Sequence, residues 1–345
     1  MQINIEHVTL TRIALLGFLG FAFSMLLTPI YTHLAFKNEW WKKMRTEVMG
    51  GGAKATVYMK LHAEKHKRNI PTMAGLIFVS GTALVTLINL SREETWLPLA
   101  AMLGAGVVGL IDDLMNIKGD NSGIAGMRAK MKLALHSIVA LIGGWWFYAK
   151  LGVGDVRVPF IGNWHLGALI IGLFFLVVIA TANAVNMSDG LDGLAGGLLA
   201  TSFGVYAIIS FIEQKYGLAG FCMTVVGSLL AYTWFNIHPA RFFMGDVGSF
   251  ALGTALGVVA MLTDTVFLLP VIGLVFVAET GSVIINRTSK KFRGGKKVFL
   301  SSPIHHHFEA IGWPETKVTM RFWVIGQVMA FVGLILFFLG GFNKR

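Results

Sequence analysis

Four stretches of this chain place acids, amides and histidines where a mostly apolar sequence has little use for them. "GLIDDLMNIKGD" carries Asp112 and Asp113, and "NAVNMSDGLDG" carries Asn183, Asn186, Asp189 and Asp192. "FNIHPARFFMGDVGS" carries Asn236 and Asp246, and "SSPIHHHFEAIGWPETKV" carries His305, His306 and His307. Two adjacent carboxylates closing an apolar run ask for a cation, because the helix macrodipole already puts partial negative charge at that end. Hard oxygen ligands suit Mg2+, which is usually held by one or two carboxylates together with substrate phosphates. The chemistry such a set supports is phosphoryl transfer between anions, where charge neutralisation and positioning matter more than covalent help.

Each stretch also has a plainer reading, which for Asp112 and Asp113 is a solvated polar helix end. Asn183, Asn186, Asp189 and Asp192 recur every three residues, which on a helix lines them along one face. Gly190, Gly193, Gly196 and Gly197 allow close backbone approach beside them, yet "SDG" and "LDG" are equally ordinary turn signals. Asp246 precedes an apolar run and reads as a helix N-cap or as a metal ligand, roles that its two oxygens can combine. Three consecutive histidines cannot all face one way, so they are not a zinc cage, which uses separated ligands. As donors to phosphate or carbohydrate oxygens they make chemical sense, in a loop restrained by Pro303 and Pro314; an ordinary surface loop is the alternative.

The elements that must position these residues are membrane helices. Of 345 residues 55% are hydrophobic and only 14% charged, against about 25% charged in soluble domains. Apolar runs long enough to cross a hydrocarbon core fall at roughly 11–36, 73–90, 97–114, 130–151, 166–184, 193–212, 218–235, 247–263, 266–286 and 322–340. The expectation is an all-α, polytopic integral membrane protein of about ten transmembrane helices forming one domain over residues 1–345. The first run exceeds a signal-peptide core and reads as a retained helix. Cys222, the single cysteine, excludes an intrachain disulfide and reads as a packing residue.

The net charge of +11 is explained by where the 29 Lys and Arg lie. Most follow the odd-numbered runs, chiefly between Lys37 and Arg68 and between Arg287 and Arg321. By the positive-inside rule those connections are cytoplasmic and both termini periplasmic. Orientation thus accounts for the charge without a nucleic-acid partner, and anionic lipid headgroups or an anionic substrate are secondary uses. All four polar stretches then reach the cytoplasmic face. Acids at a membrane edge are costly unless paired, so their gathering there marks a functional site.

In order and spacing the four stretches resemble the phospho-N-acetylmuramoyl-pentapeptide-transferase family over nearly the whole chain. The first three are shared with the wider superfamily that transfers sugar-1-phosphates to polyprenyl phosphates, while "PIHHHFEAIGWPE" is similar to this branch alone. The resemblance implies a homodimeric enzyme of the bacterial inner (plasma) membrane. It would transfer phospho-MurNAc-pentapeptide from UDP-MurNAc-pentapeptide to undecaprenyl phosphate, giving lipid I and UMP for peptidoglycan synthesis. By matching positions, Asp246 is implied as principal Mg2+ ligand. Asp112 and Asp113 are implied as the acidic pair beside the reacting phosphates and as further ligands, with Asp112 acting as base or as nucleophile. Asn183, Asn186, Asp189, Asp192 and Asn236 match positions shaping the metal and uridine-diphosphate pocket, and His305, His306 and His307 match the sugar-loop histidines. Lys67, Thr72 and Lys130 match further polar positions near the pocket. The sequence departs from the family pattern in "KRNIPTMAG", where Ile70 and Ala74 replace a threonine and a glycine, and in "MGGGAKATVYMKLHAEKH" before it. Two other functions compete. A transferase using UDP-N-acetylglucosamine is opposed by the histidine stretch. A cation transporter would place charge at the midplane in repeated halves, whereas here the acids gather at one face and no internal repeat is seen.

Overall fold

A computed structural model describes residues 2–41, 69–89, 92–119 and 126–341. In chain order the helices are α1 (Gln2–Lys37), α2 (Gly75–Asn89), α3 (Arg92–Lys118), α4 (Ala129–Ala149), α5 (Ile170–Ser188), α6 (Leu194–Ile212), α7 (Tyr216–Asn236), α8 (Gly245–Leu262), α9 (Leu269–Ile272), α10 (Leu274–Phe292), α11 (Ile304–Ala310) and α12 (Glu315–Leu339). A short antiparallel hairpin, β1 (Asp155–Val158) and β2 (Gly162–His165), adds a small sheet to the helical expectation.

A helix lies over each of the ten expected runs, but they are not ten equivalent spans. Among the described residues seven helices are long and apolar enough to cross a membrane: α1, α3, α5, α6, α7, α8 and α12. That makes the chain a polytopic helical membrane protein. The apolar α2 is shorter, at 15 residues. Helix α4 carries Lys130, Lys132 and His136 in its first half. The ninth expected run is broken at Gly273 into α9 and α10, and α10 is amphipathic. It buries Val275, Phe276, Glu279, Ser282, Asn286 and Ser289, while Ile284, Ile285 and Phe292 are exposed. Polar groups cannot face hydrocarbon cheaply, so α10 turns its acid and amide inward.

The core forms around α8, where nearly every residue from Gly245 to Met261 is buried. Helices α2, α3, α5 and α6 pack against it, and α1 lies along α7. Lipid tails are as apolar as leucine, so membrane helices associate through close packing at small residues. Between α1 and α7 a Cβ on Gly227 would collide with the Gly17 carbonyl oxygen. Gly227→Ala should therefore overpack this crossing by about 1–3 kcal/mol. A lowered melting temperature in detergent checks it; an unchanged one would mean that the helices separate freely.

Each helix of the core has one end at the polar stretches and one away from them. The hairpin marks the far end: Arg157 N donates to Asp264 Oδ1 just beyond α8 at 2.9 Å, and Arg157 Nη1 to the Gly341 carbonyl beyond α12 at 3.1 Å. Arg12 near the start of α1 reaches the Asn89 carbonyl at the end of α2, at 2.6 Å. The first and last helices therefore begin and end opposite the acids.

Candidate functional site

Asp112 and Asp113 are buried, at 1% and 0% exposure. They do not sit at a helix end as expected: α3 continues to Lys118, more than a turn further. The macrodipole argument weakens accordingly, and specific donors stabilise the pair instead. Asp112 Oδ1 accepts from Met127 N at 2.6 Å, and its Oδ2 accepts from Asn116 Nδ2 at 3.2 Å and from Lys132 Nζ at 2.6 Å. Asp113 Oδ2 accepts from Val247 N at 3.0 Å, in the first turn of α8.

That last bond settles how α8 begins. Asp246 lies inside the first turn rather than at the N-cap, and the N-cap residue, Met244, makes no side-chain capping bond. Asp113 supplies the cap from the neighbouring helix. Such an approach needs glycine on both sides: a Cβ on Gly109 of α3 would collide with the Asp246 carbonyl, and Gly245 sits at φ +74°, a conformation that glycine adopts without steric cost. A Cβ on Gly245 would also lie 2.5 Å from Asp113 Oδ2 and 2.9 Å from Thr72 Oγ1, so Thr72 is brought to the same point. Asp246 is freed from capping, and its oxygens face other groups. Oδ2 accepts from Lys132 Nζ at 2.5 Å and Oδ1 from Asn186 Nδ2 at 3.3 Å, while Asn186 also donates to Ser249 Oγ at 2.9 Å.

Lys132, which the sequence reading did not single out, is therefore the cation shared by Asp112 and Asp246. Lys130 is exposed. Two residues along a helix turn the side chain by about 200°, so both lysines cannot enter the site. Lys132 also lies over the Phe250 ring at 5.4 Å, and His136 stacks on the same ring at 4.2 Å. Lys67 lies outside the described residues.

The asparagine and aspartate series divides where α5 stops. Asn183 and Asn186 are helical, but α5 ends at Ser188, and Asp189 takes φ −82°, ψ 51°. One helical face does not carry all four. Asn183 spends its amide on the Ile179 carbonyl at 2.8 Å. Asp192 is buried, and its Oδ2 accepts from Ala240 N at 3.1 Å and pairs with His238 Nδ1 at 2.9 Å. Its own N–H donates to Glu315 Oε1 at 2.6 Å. Asn236 ties the same turn to the loop before α8, accepting from Gly193 N and donating to the Phe242 carbonyl, both at 2.9 Å. His238 and Glu315 were missed because neither residue falls in a recognisable spacing; chain reversal brings them to Asp192.

The histidines lie on a two-turn helix, α11, rather than in a loop. His305 is completely buried and pairs through Nδ1 with Glu279 Oε2 at 2.9 Å. His306 Nδ1 meets Glu309 Oε2 at 2.7 Å. His307, partly exposed, accepts from Leu300 N at 3.3 Å through Nδ1. The three point in different directions, as consecutive residues must.

The central donor set suits a hard divalent ion. Asp112 and Asp246 offer carboxylate oxygens, Asn186 steadies Asp246 through its amide Nδ2, and a cation, the Lys132 ammonium, already lies between the two acids. Mg2+ prefers such oxygen donors and completes its shell with water and phosphate. A polytopic membrane protein with carboxylates, a lysine and amides converging at one end of its helices is, by class, a membrane enzyme for phosphate chemistry.

Comparison with known proteins narrows the class. Residues 95–264 match the model of glycosyl transferase family 4. The chain is 36% identical to the phospho-N-acetylmuramoyl-pentapeptide-transferase of Chloroflexus aggregans over 96% of its own length and 91% of the relative's. Identity to the enzyme of the same name from Clostridium novyi is 36%, with 94% and 97% of the two chains covered. For that of Levilactobacillus brevis it is 40%, with 78% and 84% covered. The chain belongs to the phospho-N-acetylmuramoyl-pentapeptide-transferase family and is a transferase.

Proposed function

We propose that this protein transfers phospho-MurNAc-pentapeptide from UDP-MurNAc-pentapeptide to undecaprenyl phosphate, releasing UMP and forming lipid I, the first membrane step of peptidoglycan synthesis. The observation that carries the reading is the convergence of Asp112 and Asp246 on Lys132, with Asn186 bonded to Asp246, in a chain of this family. A lipid phosphate acceptor explains why the acids are carried by the membrane helices themselves, towards one side of the bundle, rather than by a separate aqueous domain. Asp246 and Asp112 would hold Mg2+, with Asp113 and Asn186 beside them, and the ion supplies neutralisation of phosphate charge.

The residues themselves divide the work. Asp113 holds the start of α8 against α3 and so sets the position of Asp246. Asn186 orients the Asp246 carboxylate from α5. Both oxygens of Asp112 already accept hydrogen bonds, so it acts on the acceptor phosphate, as base or nucleophile, only after Lys132 moves from Oδ2 towards the arriving anion. Asp192 and Asn236 keep the turn after α5 in register with the loop before α8, and Asp189 lies on that turn. His305, His306 and His307 on α11 would read donor specificity, as the resemblance implies. Thr72, at Gly245, and Lys67 would keep supporting parts on resemblance, whereas Lys130, exposed on α4, would stand outside the cluster.

The working protein in this reading is one ten-span domain in the bacterial inner membrane, with both termini periplasmic, the site cytoplasmic, and two copies forming a homodimer. The common position of the α1 start and the α12 end, opposite the acids, supports that orientation. A reporter fused after Arg345 should read as periplasmic; a cytoplasmic signal would require an odd change in the number of spans. For the reaction, label from UDP-MurNAc-pentapeptide should pass into an organic-soluble lipid with purified protein, and label from UDP-N-acetylglucosamine should not. Efficient transfer from the latter would replace the donor assignment.

A further inference from the structure

We propose that Glu279 is a positioning residue for the donor end of the site, acting through His305 on the turn that carries Asp189 and Asp192. The inference rests on the transfer reaction proposed above. Glu279 lies mid-way along α10 and is 0% exposed, as is His305. Its Oε2 accepts from the imidazole Nδ1 at 2.9 Å and faces the His305 backbone N at 3.4 Å. With Glu279 as a carboxylate, which only accepts, the shared proton sits on Nδ1. The opposite ring nitrogen, Nε2, has no hydrogen-bond partner. It presses on Gly190: a Cβ there would collide with Nε2 and lie 2.7 Å from Cε1. The ring also meets His306 edge to face at 4.0 Å.

Energetics argue that this arrangement is kept for position. An acid and an imidazole taken wholly out of water lose solvation that their mutual attraction seldom returns in full, and apolar replacements of such pairs are often neutral or stabilising. Nor are the pair's remaining groups satisfied, since Glu279 Oε1 is also without a partner. What the pair does achieve is a fixed imidazole direction. One hydrogen bond orients the ring, and the ring edge then sets how closely α11 approaches Gly190, with Asp189 one residue before it and Asp192 two after. His305 is accordingly a spacer between α10 and the turn after α5; His306 beside it is also buried, and His307 is partly exposed.

The test uses purified full-length protein and separate titrations of UDP-MurNAc-pentapeptide and undecaprenyl phosphate. Glu279→Gln keeps an acceptor oxygen for Nδ1 and should stay within about threefold of the parent in both KM values. Glu279→Leu removes it, and the donor KM should rise about tenfold while the acceptor KM is unchanged. Gly190→Ala, which leaves the pair intact but displaces the ring, should give the same donor-only signature. A donor KM at the parental value in both Glu279→Leu and Gly190→Ala, or an equal rise in both KM values, overturns the proposal. If Glu279→Leu fails to fold, Gly190→Ala decides alone. Absence of transfer by the parent would instead sink the reaction itself, and the positioning role with it; an active parent with unaltered variants sinks the positioning role only.

Discussion

Asp246→Ala should reduce turnover by about a thousandfold and make what remains nearly indifferent to Mg2+. The carboxylate is the point where α3, α4, α5 and α8 meet: it accepts from Lys132 at 2.5 Å and from Asn186 at 3.3 Å. A metal ion's stabilisation of phosphoryl charge is worth several kcal/mol, and about 4 kcal/mol corresponds to roughly three decades in rate at 1.36 kcal/mol each. The competing effect, loss of structure, is small by comparison. Lys132 retains Asp112 as its partner, so no buried charge is left alone, and the cap of α8 comes from Asp113 rather than Asp246. A variant with parental melting temperature, very low kcat and a flat Mg2+ titration is the expected result. Near-parental turnover with Mg2+ would remove Asp246 from the ligand set.

Much of this was legible in the sequence, for a physical reason. A membrane forces about 20 apolar residues per crossing, so helices announce themselves, and acids that interrupt or flank such runs stand out because they are costly there. Asp112, Asp113, Asn186 and Asp246 were found on that ground and lie within one cluster. Helix phase was harder. The buried residues of α4 are His136, Ala140, Gly143, Gly144 and Phe147; stepping that stripe back by four residues reaches Lys132 and bypasses Lys130. The information was present, but only knowledge of which face meets α8 selects it. Glu279 was hidden differently. It sits inside a run that reads as a plain span, and nothing in the spacing shows that the run breaks at Gly273 and turns its acid towards a histidine 26 residues later. Asp192, His238 and Glu315 illustrate the same limit, because they come together only after α5 to α12 have packed. The short hairpin, whose strands are four residues each, gives too little alternation to be read against ten apolar runs.

Lys132→Met should separate the two roles of a cation in this cluster, because the two observable effects run in opposite directions. Methionine preserves most of the apolar stem that lies over Phe250 and removes only the ammonium between Asp112 and Asp246. Removing one partner from a buried ion pair typically costs about 3–5 kcal/mol, because the remaining charge is stranded. Here two carboxylates are stranded together, and their repulsion raises the attraction for a divalent ion. Half-saturation by Mg2+ should therefore fall, meaning tighter binding, by about tenfold for ~1.4 kcal/mol of added attraction. Turnover should fall in the same variant by about a hundredfold, since charge-assisted contacts to an incoming phosphate are worth about 1.5–3 kcal/mol. Melting temperature should drop without Mg2+ and recover when it is added, as mass action on the folded state requires. Lys130→Met, at an exposed position on the same helix, should leave all three quantities at parental values. Weaker Mg2+ binding in Lys132→Met would show that the lysine helps to hold the ion instead of competing for its place, and equal losses in both variants would remove Lys132 from the site.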